Sequence, residues 1–296
     1  MFLTVTSLLL SALLQAPSQD KAAIPLTLDF ILTTSEGDAP GDLTPADVTL
    51  KVGGKVRPVL NLELLPATTP HQIVLIVDEP TLYNLEKPAK DAIHKLLATL
   101  RPGDRVTYVS TRGGRVEPGK EAAAKAADAM VTGPGVLYSC LGDLMTTIET
   151  FAKRMPKGRM GFLAVIARGH PEGPTLDRNV AGGCTPHRDA TRETEEVIAA
   201  SQVNLHLFTV SETNSSWGLD TLAGNLGGRT GLITYNNSNA LERALNEKRR
   251  HYRATIAADP TAPERPQRVE LKVNAKNVKV RTSATLVITP AHAGTR

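Results

Sequence analysis

Cys184 and His187 share a segment with His170, Asp177 and Asp189. A thiolate and an imidazole at C-x-x-H spacing occur in some zinc sites, and zinc-bound water is a hydrolytic nucleophile. A single such pair is a small part of a site, and ordinary loop polarity produces the same pattern. Ser139-Cys140 at a helix start is a second nucleophile candidate, because a helix N-terminus lowers a thiol pKa. No base stands beside it in the sequence. Asp143 and Glu149, on the helix that follows, are not spaced as a pair on one helical face. The motifs G-x-S-x-G, H-E-x-x-H, G-x-G-x-x-G and G-x-x-x-x-G-K-[ST] are absent. A metal-dependent hydrolase using the 170–189 loop is the enzymatic alternative to a non-enzymatic chain with no catalytic residue, metal or cofactor.

The balance of the chain favours the second reading. Its 296 residues are 41% hydrophobic and 22% charged, enough for a sizeable core. The net charge is only +4, and aromatic residues make up 4%. Neither a basic face nor stacking platforms for nucleic acid follow from that. The basic run Glu247-Lys248-Arg249-Arg250-His251-Tyr252-Arg253 sits at a helix end, where the helix dipole accounts for its charges.

The start, MFLTVTSLLLSALLQA, has no charged side chain and an apolar centre over Leu8–Leu14. It is short for a membrane span, and Ala16 with Ser18 fits a cleavage site after Ser18. Residues 1–18 are therefore expected to be a signal peptide, leaving a secreted or periplasmic chain with no stable membrane span. In that setting an even cysteine count favours a Cys140–Cys184 disulfide, the alternative being two separately buried thiols. Asn214 and Asn236 each begin a glycosylation sequon.

Periodicity places these residues on elements. Ile24–Thr34, Val48–Val52 and Val56–Leu65 read as strands, with Gly53-Gly54 as a hairpin turn and Thr44-Pro45 opening a short helical turn. His71–Asp78 contains five consecutive apolar residues, the pattern of a central parallel strand covered on both faces. A helical stripe over Leu85–Leu100 and the strand Arg105–Ser110 complete a β-α-β unit. Further helices are predicted at Lys120–Met130, Tyr138–Met155, Thr191–Ser201, Trp217–Leu226 and Asn239–Lys248. Strands are predicted at Met160–Ala167, Val203–Val210 and Gly231–Tyr235, and after Arg250 the chain is β-rich again. Neither β-rich end can bury a core alone, so 24–65 and 250–290 are expected to pack together around an α/β part at 70–249.

The run HQIVLIVDEPTLY, with the helix PAKDAIHKLLATL and the strand DRVTYVS, resembles a von Willebrand factor type A domain. The order LTPADVTLKVGGK, then the A-like part, then HYRATIAADP and RVELKVNAKNVKVR, is similar to the VWFA-related proteins of acidobacterial genomes. The resemblance covers roughly Leu26 to Ile288. It implies an α/β fold with a doubly wound, mostly parallel sheet inserted into a small all-β domain. It also implies a divalent-cation site at the carboxyl edge, which many such domains use to grip an acidic group on a partner protein.

Residue by residue, that site is degenerate here. The family's Asp-x-Ser-x-Ser corresponds to Asp78-Glu79-Pro80-Thr81-Leu82, which keeps Asp78 and loses both serines. The threonine of the second loop falls on Gly135. The aspartate of the third loop falls on Arg168, whose guanidinium either replaces the ion beside Asp78 or points to solvent. Magnesium requires near-octahedral oxygen ligands, which this set does not supply. Glu79 or Thr81 would have to rescue any binding. The resemblance therefore leads to an exported protein-binding or scaffold module whose partner-facing edge works without a metal ion. A structural module of an envelope assembly is the other non-enzymatic reading.

Overall fold

Apolar residues alternate from Leu26 to Phe30 in the strand β1 (Ile24–Thr34), whose Leu28, Phe30, Ile31 and Leu32 are buried. The chain continues through β2 (Val48–Val52), β3 (Lys55–Arg57) and β4 (Val59–Leu65). Then β5 (His71–Val77), α1 (Glu86–Ala98), β6 (Arg105–Ser110), β7 (Val116–Pro118) and α2 (Lys120–Asp128) follow. Next come α3 (Leu141–Arg154), β8 (Met160–Ala167), α4 (Ala190–Ser201), β9 (Asn204–Thr209), α5 (Leu219–Asn225), β10 (Thr230–Leu232) and α6 (Ala240–Lys248). The last strands are β11 (His251–Ala258), β12 (Pro266–Val273), β13 (Val278–Thr282) and β14 (Thr285–Val287). The structure, a computed structural model, describes residues 24–34, 41–132, 141–155, 160–168, 190–210, 219–249, 251–258 and 266–287.

The architecture is mixed α/β, with one largely parallel sheet flanked by two smaller antiparallel sheets. The parallel sheet has the order β10-β9-β8-β5-β6-β7, and only β7 runs antiparallel to its neighbour. Residues of β5 alternate between its two faces. Ile73, Leu75 and Val77 pack with α1, α2 and α6, while Val74 and Ile76 pack with α3, α4 and α5. Burial on both sides is why this strand reads as an unbroken apolar run.

The antiparallel sheets have the orders β13-β1-β11-β4 and β14-β12-β2-β3. Each therefore mixes strands from before residue 66 with strands from after residue 250. Leu28, Leu50, Val52, Ile256 and Val269 share one core between them, and Phe30, Leu32, Val48, Tyr252 and Ala254 share another. The Phe30 and Tyr252 rings stack with centroids 5.5 Å apart.

One expected strand is divided. Val56–Leu65 breaks at Pro58, which lacks the N–H a continuing ladder needs. β3 stays with β2, and β4 crosses to β11. The last two strands also part company, at Ser283-Ala284, with β13 on β1 and β14 on β12. At that break Ala284 N–H donates to the Asn225 carbonyl at 2.5 Å, joining the β part to the end of α5.

The expected Cys140–Cys184 disulfide is corrected. No disulfide bond is present among the described residues, and both cysteines lie outside them. An even count in an exported setting says nothing of sulfur separation, and a bridge needs Cα atoms within about 7 Å.

Buried polar groups gather at the end of α6, where the chain passes from the α/β part into the antiparallel part. Arg249 pairs with Asp104 at 2.6 Å, both side chains almost wholly buried. Asp104 also accepts the His71 N–H at 2.9 Å and the Arg101 N–H at 2.8 Å. Lys248 donates to Asn204, and Arg281 to Glu247. Lys248, Arg249 and His251 are all buried, so the basic run at the end of α6 is internal structure.

Candidate functional site

The carboxyl ends of β5, β6 and β8 lie together, because neighbouring parallel strands finish at one edge. β5 ends at Val77, and the Asp78 N–H donates to the Ile166 carbonyl of β8 at 2.9 Å. Glu79–Leu82 then form a single 3₁₀ turn. Pro80 at its second position suits a turn start, where no N–H is required. The Thr81 N–H and hydroxyl both donate to the Asp78 carbonyl, at 3.0 and 2.8 Å.

Asp78 is fully buried. Its Oδ1 accepts from the Thr111 hydroxyl at 2.8 Å, and the Thr111 N–H donates to the Val77 carbonyl at 3.1 Å. Thr111 sits just past β6, so it reaches Asp78 across the strand pair. Arg168 is exposed, and its backbone N–H donates to the Thr81 hydroxyl at 3.1 Å. Thr81 Oγ1 thus donates to one backbone group and accepts from another.

Glu79 turns away from this edge into the sheet. Its buried carboxylate accepts from the Tyr108 hydroxyl at 2.7 Å and from Arg115 at 3.0 Å. Arg115 also donates to the Ala126 carbonyl at 3.2 Å and lies 5.7 Å from the Tyr108 ring centre. Burial, reinforced by the Glu79 hydrogen bond, raises the Tyr108 phenol above its ordinary pKa.

This arrangement does not fit a divalent cation. Pro80 and Leu82 are buried and carry no side-chain oxygen. The Thr81 hydroxyl is committed on both sides, Glu79 is held by Tyr108 and Arg115, and Arg168 brings no carboxylate. Among the described residues no three His, Cys, Asp or Glu side chains are grouped to hold a metal ion.

Asp78, Glu79, Pro80, Thr81, Leu82 and Arg168 are therefore brought to one edge. Gly135 lies outside the described residues, as do Ser139, Cys140, His170, Asp177, Cys184, His187 and Asp189. Asp143 is exposed, and Glu149 accepts the Thr194 hydroxyl at 2.6 Å, tying α3 to α4. The residues that sequence reasoning missed are Thr111, Tyr108 and Arg115. Their signal was topological: a strand parallel to β5 must place its own end beside Asp78.

No family model matches the chain, and no curated protein matches it. Solved structures do. The human COPII-coat protein Sec24c aligns at 10% identity and a TM-score of 0.40, over 76% of this chain and 44% of that one. Proximal thread matrix protein 1 from the mussel byssus aligns at 9% identity and 0.43, over 74% of this chain and 50% of that one. Manganese-loaded Plasmodium vivax TRAP protein aligns at 10% identity and 0.39, over 75% of this chain and 95% of that one. The chain thus spans half or less of the coat and thread proteins.

Proposed function

We propose that this chain is a non-enzymatic protein-binding module of the von Willebrand factor type A kind, close to the VWFA-related proteins, and that its carboxyl edge works without a metal ion. The observation that carries this reading is the committed hydrogen bonding of the turn after β5. Asp78 is held by Thr111, the Thr81 hydroxyl both donates to and accepts from backbone, and the two expected serine positions are a buried proline and a buried leucine. A cation arriving there would shed water and gain few oxygens in return. The edge is instead a preformed, uncharged-by-metal surface of the turn at 79–82, Thr111 and Arg168. Export belongs to the same proposal and rests on the uncharged apolar start with Ala16 and Ser18.

Titration calorimetry of metal-stripped protein with magnesium, calcium and manganese tests the site directly. No saturable heat is expected. A one-to-one site of micromolar affinity that Asp78→Ala abolishes would overturn the reading. Arg168→Asp alone should not create such a site, since Pro80 and Leu82 still lack oxygens.

A further inference from the structure

We infer that the two points where the chain crosses between the α/β part and the antiparallel sheets form an acid-sensitive latch, which opens locally when the buried rings of His71 and His251 take up protons. The latch does not involve the turn after β5 and does not depend on the function proposed above. The first crossing runs from β4 to β5, and the second from α6 to β11. His71 is the first residue of β5, and His251 is the first residue of β11. Each crossing therefore ends on a histidine, and both are buried.

The geometry gives a further proton no acceptor. The His71 backbone N–H donates to Asp104 at 2.9 Å, and its ring Nδ1 lies 2.8 Å from the Thr69 carbonyl. A carbonyl only accepts, so Nδ1 carries the ring proton and Nε2 the lone pair. That Nε2 is buried without a hydrogen-bond partner among the described residues, and the same holds for both ring nitrogens of His251. Protonation turns these atoms into unpaired donors on a charged, buried ring.

The surrounding charges oppose it as well. Lys248 and Arg249 of the α6 end face His71. Asp104, ahead of β6, approaches the same ring at 3.9 Å, but Arg249 already engages it at 2.6 Å. His251 is faced by Lys248, by Arg253 on its own strand, by His71, and by Asp29 of β1 at 3.7 Å. Arg253 already holds Asp29 through bonds of 2.8 and 3.0 Å. Burial first, and then the cations, lower His71 to about 4 and His251 to about 3. In an opened junction each ring returns to about 6.5. The closed form therefore loses ground as pH falls below that value, about tenfold per ring for each pH unit. From Ile73 to Val77 the same strand is apolar and buried on both faces, so the opening stops there. A third buried histidine, His206, lies within the parallel sheet, stacked on Phe162 with centroids 4.4 Å apart, and is kept in every variant below.

The test is hydrogen-exchange mass spectrometry of the full chain between pH 6 and pH 4.5, corrected for the intrinsic pH dependence of exchange. Protection in peptides covering 59–65 and 251–256 is expected to fall about a hundredfold per pH unit, one factor of ten for each ring. Peptides of β8 and α3 should remain at least about tenfold better protected at every pH, because the core outlasts the latch. In His71→Leu or His251→Leu the fall at the junction should flatten to about tenfold per unit. Should either variant fail to fold at pH 7 by circular dichroism, the other variant and the wild-type contrast between peptides decide the question. Equal protection of junction and core peptides at every pH would overturn the proposal, since the chain would then open only as a whole. So would junction protection that does not change with pH, or a fall that neither substitution flattens.

Discussion

Thr111 decides how Asp78 is used. A buried carboxylate without hydrogen-bond donors is costly, and the Thr111 hydroxyl supplies one at 2.8 Å. Replacing it with valine keeps the shape and removes that donor. Thr111→Val is expected to lower stability by about 1–3 kcal/mol in urea unfolding, and Thr111→Ser by clearly less. An equal loss for both would mean that the methyl group, not the hydroxyl, matters. The same reasoning explains what was legible at this scale. Losing serines to Pro80 and Leu82 is visible in a string of letters. The donor to Asp78 is not, because Thr111 lies a helix and a strand further along the chain. Arg115, which neutralises the buried Glu79, was hidden for the same reason.

At the scale of elements, hydrophobic period located nearly every strand and helix, since burial imposes it directly. The failures are at prolines and at breaks between sheets. Pro58 divides one apolar run into β3 and β4 because the ladder cannot continue through it. Nothing in the local pattern announces that the two halves then join different sheets. The turn after α5 shows how tightly such junctions are made. A Cβ on Gly228 would lie 1.6 Å from the Leu205 carbonyl oxygen, and one on Gly227, at φ +69°, would lie 2.5 Å from the Thr282 backbone. Both obstacles are backbone and cannot swing aside. Gly228→Ala is therefore expected to destabilise by more than about 4 kcal/mol and to collapse the yield of folded protein. A variant with an unchanged thermal midpoint would contradict this packing.

For the whole molecule, the basic run does sit at the end of α6, as its charges suggested, but the helix-end pattern does not announce that it is buried. The structure closes the β part over it. Burial, then the charges of Arg249 and Lys248, lower His71 to about 4. Burial, then Lys248, lowers His251 to about 3. Burial, then Lys248, Arg281 and Arg229, places His206 well below its ordinary value. The unfolded chain takes up protons on these rings near 6.5 and the folded one does not, so stability falls as pH drops through that region. Each ring contributes up to about 1.4 kcal/mol per pH unit until its folded value is reached. Burial alone would raise the Asp29 carboxyl, but its bond to Arg253 and nearby positive charges outweigh that and hold it low. Its contribution is present above 3.8 and is lost as pH falls further, in the same direction. Urea midpoints are expected to decline steadily from pH 7 to pH 4. At the other end, burial lowers Lys248 to about 8, so stability should rise between about pH 8 and 10.5. A flat profile in both windows would mean that water reaches this junction.

Leu65 and His251 are direct partners in the β4–β11 ladder. The chain leaves the antiparallel sheets at the first and returns at the second. To those sheets, everything between is a polymer loop whose two ends are pinned side by side. The entropy of closing such a loop grows only with the logarithm of its length, about 0.6 kcal/mol for each doubling. The antiparallel sheets are therefore almost indifferent to how much chain the α/β part carries, and segments added to its surface loops leave their closure nearly unchanged.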